Sequence, residues 1–152
     1  MSHPADRNRA HLFPEFAEKV HLVCADMNAW CAVHWPNHHA VLAEGFRTAA
    51  RQAELYAQGR TTPGPQVTWT THSDHQDGLA ADIVGARDGG DNPTWDCPEA
   101  FWSYLTHVAH VHGLERTMDY STRVDKPHVQ WPQNDHAKYA EAKAWLHSQG
   151  LV

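Results

Sequence analysis

The stretch Ser73-Asp74-His75-Gln76-Asp77-Gly78-Leu79-Ala80-Ala81-Asp82-Ile83-Val84 runs from a polar turn into an apolar strand with one charge in it, Asp82. A carboxylate in an apolar strand is costly unless it is paired or binds a metal. His75 lies just upstream, across a turn that Gly78 permits, and the turn folds it back beside Asp82. Zinc accepts imidazole nitrogen and carboxylate oxygen at about 2.0–2.2 Å, but two protein ligands are too few.

The best third ligand is in Asp125-Lys126-Pro127-His128-Val129-Gln130. Pro127 stiffens the backbone and biases Lys126 to an extended conformation, so that His128 opens a strand beside Asp82. Two histidines and one carboxylate leave a fourth coordination position open, the pattern of a catalytic site. Asp125, three residues before His128, is placed to act as general base. Taken singly, each motif also reads as structure: a lone Asp capping a turn or pairing with Arg, a lone His at the surface. Together in one short chain they favour a metal site.

Outward from this stretch the pattern is mixed. Phe13, Phe16, Val20, Val23, Met27 and Trp30 recur at helical steps and predict a helix over residues 14–33. Residues 40–45 suit a short strand. Thr48 is placed to cap a helix over 49–58, closed by Gly59. Residues 67–71 are β-branched and aromatic and predict a strand; 79–84 predict another, and 85–97 a Gly/Asp-rich loop. A helix is expected over 98–112, a short strand over 128–131 and a last helix over 134–148. Helices and short strands without a repeated βαβ unit give an α+β class.

The chain has 152 residues, enough for one domain with a real core. Its net charge of -6 argues against nucleic acid as the main partner and gives no pull toward anionic lipid. No stretch approaches the ~18 apolar residues of a membrane span, and residues 1–13 lack the apolar core of a secretory signal. The expectation is a monomer made in the cytoplasm without a signal peptide. Cys24, Cys31 and Cys97 form no paired motif and read as reduced and structural. Histidine is the compositional outlier, with 14 residues. His38 and His39 read as turn surface, and His107, His110 and His112 as solvated or facing a helix C-terminus. The loop 88–96 carries three carboxylates, but not at EF-hand spacing, and reads as plain loop.

The pattern S-x-H-x-x-G-x-A-x-D at 73–82, followed by D-x-P-H at 125–128, resembles the zinc peptidases of the VanY-type D-alanyl-D-alanine carboxypeptidase and L-alanyl-D-glutamate endopeptidase family. Residues 44–68, from Glu44-Gly45-Phe46-Arg47 onward, look like the segment preceding the zinc motif in the L-alanyl-D-glutamate endopeptidases, bacteriophage endolysins included. The likeness spans about residues 40–131 in three blocks. It implies a hedgehog/D-Ala-D-Ala-peptidase-like fold, a small mixed or antiparallel sheet with flanking helices. It implies Zn2+ held by His75, Asp82 and His128, with Asp125 as general base and Arg47 as the arginine that stabilises the oxyanion. Ser73 matches a serine that touches substrate, and Gln52 a scaffold or substrate contact. The implied substrate is a peptidoglycan stem peptide, cut between L-alanine and D-glutamate after the protein leaves the cytoplasm. A D,D-carboxypeptidase of the same family, or a zinc-containing binder of wall peptides without turnover, are the rival readings. Three departures stand out: Asp77 where an aromatic or Asn is common, residues 113–120 without a Trp-Gly-Gly run, and Gln130 where Glu is frequent.

Overall fold

The computed structural model describes residues 2–152. Helix α1, Pro14–His34, opens with proline at a position where its missing N–H costs nothing, and it buries Phe16, Val20, Val23, Met27 and Cys31 along one face. Strand β1, His38–Glu44, begins earlier than expected. His38 stacks on Trp35 at 3.9 Å between ring centroids, and His39 bridges Asp88 and Asp91, so this pair belongs to the strand and not to a surface turn. Helix α2, Ala49–Ala57, is capped by Thr48, whose hydroxyl accepts from the Arg51 N–H at 3.1 Å, as the sequence predicts.

Strand β2, Ala80–Arg87, runs on into the expected loop, and that loop also contains the two-residue strand β3, Pro93–Thr94. Helix α3, Glu99–Val111, strand β4, His128–Gln130, and helix α4, His136–Ser148, lie close to expectation. Residues 67–71 are the miss, for they form no ladder. Gln52 Nε2 donates to the Thr70 carbonyl at 2.7 Å and Arg60 Nη1 to the Thr68 carbonyl at 3.1 Å. Side chains thus take the carbonyls that a neighbouring strand would have used, while Val67 and Trp69 stay exposed.

All pairings in the four-stranded sheet are antiparallel, which settles the α+β class with an antiparallel sheet. β2 is central. β1 flanks one side, while β4 and β3 share the other, β4 against Ala80–Asp82 and β3 against Gly85 and Ala86. A bulge between Leu42 and Glu44 advances the register so that Glu44 faces Asp82. α1 packs on β1 and α3 packs on α1, and Phe16, Met27, Ile83, Val84, Phe101 and Leu105 belong to one buried core.

Gly85 sits in β2 directly beneath Trp35, where an added Cβ would lie 2.4 Å from the indole Cζ3. Gly85→Ala is therefore expected to cost about 1–3 kcal/mol through overpacking. Thermal unfolding should show a midpoint lowered by several degrees; an unchanged midpoint would mean that Trp35 moves aside freely.

The outer edge of β1 is covered by single groups. The Ala40 N–H donates to Asn28 Oδ1 of α1 at 2.7 Å, the Leu42 carbonyl accepts from Arg7 Nε at 2.9 Å, and the Gly45 N–H donates to the Asp6 carbonyl at 2.7 Å. Among the described residues no helix is long and apolar enough to cross a membrane.

Candidate metal centre

The register of β2 places Asp82 between two neighbours, Glu44 on β1 and His128 on β4. His75 comes from a 3-10 turn, Asp74–Asp77, that leads into β2. Ser73 caps this turn: its hydroxyl accepts from the His75 N–H at 3.2 Å, and its own N–H donates to Gln76 Oε1 at 2.9 Å. Gly78 closes the turn in the left-handed region, with φ 68°, which a side chain would strain.

Each imidazole has one nitrogen engaged behind it and one turned to Asp82. His75 Nδ1 bonds the Gly45 carbonyl at 2.8 Å, leaving Nε2 at 3.5 Å from Asp82 Oδ1. His128 Nε2 bonds Gln130 Oε1 at 2.8 Å, leaving Nδ1 at 3.7 Å from the same oxygen. Both acceptors are carbonyls, so the engaged nitrogen carries the proton and the inward nitrogen keeps its lone pair.

Asp82 Oδ1 is buried and has no hydrogen-bond partner. A buried, unpaired carboxylate oxygen is expensive. The three donor atoms of His75, Asp82 and His128 lie within 4.8 Å of one another. Donors around one tetrahedral zinc, with bonds of 2.0–2.2 Å, stand about 3.4 Å apart. The residues therefore fit a metal ion in donor type, spacing and the direction of their lone pairs.

The electrostatics agree. Burial pushes the Asp82 carboxyl up, but the imidazoles of His75 and His128 outweigh it and hold the group well below the usual carboxylate range. Burial pushes His128 down, and Asp82 more than reverses this, so His128 is raised. Asp82 is thus ionised and draws positive charge to the cluster, either a proton on a facing imidazole or a metal ion that takes that proton's place.

Asp125 approaches from the open side, with Oδ2 at 3.9 Å from His128 Nδ1 and its side chain half-buried. Burial first, and then the charge on Asp82, raises its carboxyl above the ordinary value. Arg47 approaches from the other side, with Nη2 at 3.9 Å from Asp82 Oδ2. Its guanidinium is held by Glu44 Oε1 at 2.7 Å and Gln52 Oε1 at 2.9 Å, while Nε is buried without a partner. Gln52 is fully buried, exposes no surface to the cleft and holds Arg47 through its Oε1. Ser73 lines the cleft over the cluster, as do His72, Trp69, Trp95 and Tyr120, and the cleft encloses about 650 Å³. Asp77 pairs with His72 at 3.2 Å, outside the cluster.

Sequence reasoning missed four residues. Glu44 is buried and holds both Arg47 and, at 3.1 Å, Arg51. The signal was present, since Glu44 is the one charge closing an apolar run. Tyr120 donates its hydroxyl to Gln130 Oε1 at 2.7 Å, the oxygen that also orients His128. Arg116 is buried and donates to the His128 carbonyl at 2.6 Å. Thr117 accepts the Asp125 N–H at 3.2 Å. The last three fall within residues 113–120, whose departure from the family pattern masked them. Gln130, noted for its departure, supplies a neutral carbonyl where a carboxylate was expected.

No family model matches the chain. Among curated proteins it is 33% identical over 103 residues to the peptidoglycan L-alanyl-D-glutamate endopeptidase CwlK of Bacillus subtilis (strain 168), across 62% of this chain and 61% of that protein. The chain thus spans about three fifths of the length of the curated relative that it matches. Among solved structures it is similar to the Serratia marcescens L-Ala D-Glu endopeptidase ChiX, with a TM-score of 0.61 and 19% identity over 90% of this chain and 92% of that one. It is also similar to the vancomycin-resistance D,D-dipeptidase VanXYg, with a TM-score of 0.53 and 18% identity over 89% of this chain and 59% of the other. At these identities the structural likeness speaks for the fold, an α+β fold of the VanY and ChiX type. The resemblance drawn from the sequence holds in both sequence and fold.

Proposed function

We propose that this chain is a zinc-dependent peptidase acting on peptidoglycan stem peptides, and that it cleaves between L-alanine and D-glutamate. The observation that carries the reading is the convergence of His75 Nε2, His128 Nδ1 and an unpaired Asp82 Oδ1, with Asp125 on the open side. The sequence likeness to an L-alanyl-D-glutamate endopeptidase favours that bond. Two nitrogens and one carboxylate oxygen are a donor set that suits zinc. The net charge of -6 does not favour nucleic acid as a partner, and the chain is expected to act as a monomeric single domain on the wall once outside the cytoplasm.

In this reading His75, Asp82 and His128 hold the ion. Zinc so held supplies Lewis acidity, which polarises the scissile carbonyl and makes water a competent nucleophile near neutral pH. Asp125 takes the proton of the attacking water and hands it to the leaving amine, a task for which a raised carboxyl is better matched than an ordinary one. Arg47, held in place by Glu44 and Gln52, offers positive charge to the carbonyl oxygen as it becomes anionic. Ser73 shapes the cleft floor and meets the peptide.

The test is to incubate zinc-loaded protein with Gram-negative peptidoglycan and read the products by mass spectrometry. New free amino termini on D-glutamate are expected. Loss of terminal D-alanine alone would move the activity to the carboxypeptidase side of the family, and no product from protein that holds zinc would reduce it to a binder. One residue behind the ligands can be tested separately. Gln130→Ala removes the acceptor shared by His128 and Tyr120, and zinc affinity is expected to fall about 10–100-fold in a chelator competition titration. An unchanged affinity would show that His128 needs no such support.

A further inference from the structure

A second, shallower groove of about 270 Å³ opens beside the cleft and shares Val67, Thr68, Trp69 and Asp125 with it. Arg123 lies in this groove with its guanidinium over the Trp69 ring, 4.9 Å from the ring centroid. Trp69 is itself 42% exposed, too open for a core residue. Among the described residues, Arg123 has no acidic partner and its guanidinium makes no hydrogen bond; its only polar contact is its backbone N–H to Ser121 Oγ at 3.1 Å. The other cations near the cleft are engaged. Arg47 is held by Glu44 and Gln52, Arg60 donates to the carbonyls of Tyr56 and Thr68, and Lys126 pairs with Glu99.

A guanidinium lying on an indole gains about 0.5–1 kcal/mol at an exposed site. The contact with the ring uses none of the group's N–H bonds in hydrogen bonding, so among the described residues the fork is free to receive a carboxylate through two parallel bonds. The one charge within the groove that opposes an anion is Asp125. Its position matters, because it places the groove next to the residue that would serve the scissile bond. A stem peptide that continues through the γ-carboxyl of D-glutamate leaves the α-carboxylate of that residue free, one residue past the bond to L-alanine.

Building on the peptidase reading above, we infer that Arg123, held over Trp69, is a specificity-determining residue that receives the free α-carboxylate of the D-glutamyl residue. Its test uses three synthetic peptides: the L-alanyl-γ-D-glutamyl peptide, the same peptide with an α-carboxamide on the D-glutamyl residue, and one amidated only at the following residue. Affinity is measured by calorimetry on the metal-free chain, and kcat/KM on the zinc-loaded chain. The wild-type chain is expected to bind the free acid, and the peptide amidated further on, about tenfold more tightly than the α-carboxamide. Arg123→Gln should erase that difference by weakening the two acids, and Arg123→Lys should restore part of it.

Equal binding of all three peptides, binding of none, or a preference set only by the following residue would overturn the assignment. So would an Arg123→Gln chain that still discriminates. Cleavage without discrimination would overturn the Arg123 role and leave the peptidase reading in place. Discrimination without any cleavage would support the carboxylate site and overturn the peptidase reading instead.

Discussion

Asp125→Ala is expected to keep its fold and its zinc and to lose activity by roughly 10²–10⁴-fold, the usual worth of a positioned general base. The variant should keep its zinc because Asp125 is not among the three donors that point at one another; its carboxylate stands 3.9 Å from His128 Nδ1 on the open side. It should keep its fold because the backbone at this position is held independently, the Asp125 N–H by Thr117 and its carbonyl by the His128 N–H. Product release from a stem peptide, followed by mass spectrometry beside elemental analysis of the purified variant, separates the two properties. A rate within a few-fold of the parent would remove Asp125 from the proton path. Loss of zinc along with activity would make it a ligand.

The second large effect concerns the ion. His75→Ala removes the donor that the Gly45 carbonyl orients, and zinc content is expected to drop from about one per chain to near none, as two ligands do not make a zinc site. A thermal readout accompanies it. A ligand that binds only the native state adds about 4.1 kcal/mol of stability at 1,000 times its dissociation constant. Zinc should therefore raise the unfolding midpoint of the parent chain and leave that of the variant unmoved. His75 is buried, and its removal leaves a cavity. Asp82→Asn, nearly isosteric, is the companion variant: it should fold, and fail to take up zinc. Full zinc content in both variants would disprove the ligand set.

Much of the site was legible because the residues break local rules. Asp82 is a charge in an apolar strand, and no arrangement of neighbours in sequence satisfies it, so a partner had to come from elsewhere in the chain. β4 begins at His128 as the sequence predicts, but Lys126 and Pro127 lie in a turn closed by the His128 N–H on the Asp125 carbonyl and not in an extended run. Thr48 and the helix that it caps followed from local chemistry alone. What the sequence did not disclose is register. Nothing in residues 38–44 indicates the bulge that turns Glu44 toward Asp82, and with it the anchoring of Arg47. The orientation of the imidazoles was likewise hidden, for it depends on the carbonyl of Gly45 and the amide of Gln130, neither of which carries a charge to draw the eye. Residues 67–71 misled for the opposite reason: strand-like side chains stand there exposed, facing the cleft in place of a neighbouring strand.

The single groups along β1 have a consequence for solubility. An edge strand with open amides and carbonyls is a template on which another copy can add itself, and proteins blunt such edges. Here the guard consists of Asn28 from the helix above and the Asp6–Arg7 stretch laid alongside. A preparation trimmed by a protease past Arg7 would keep every side chain of the candidate metal centre and still uncover the Leu42 carbonyl and the Gly45 amide. Such material would tend to self-associate through β1, edge to edge, with no fault in the candidate metal centre.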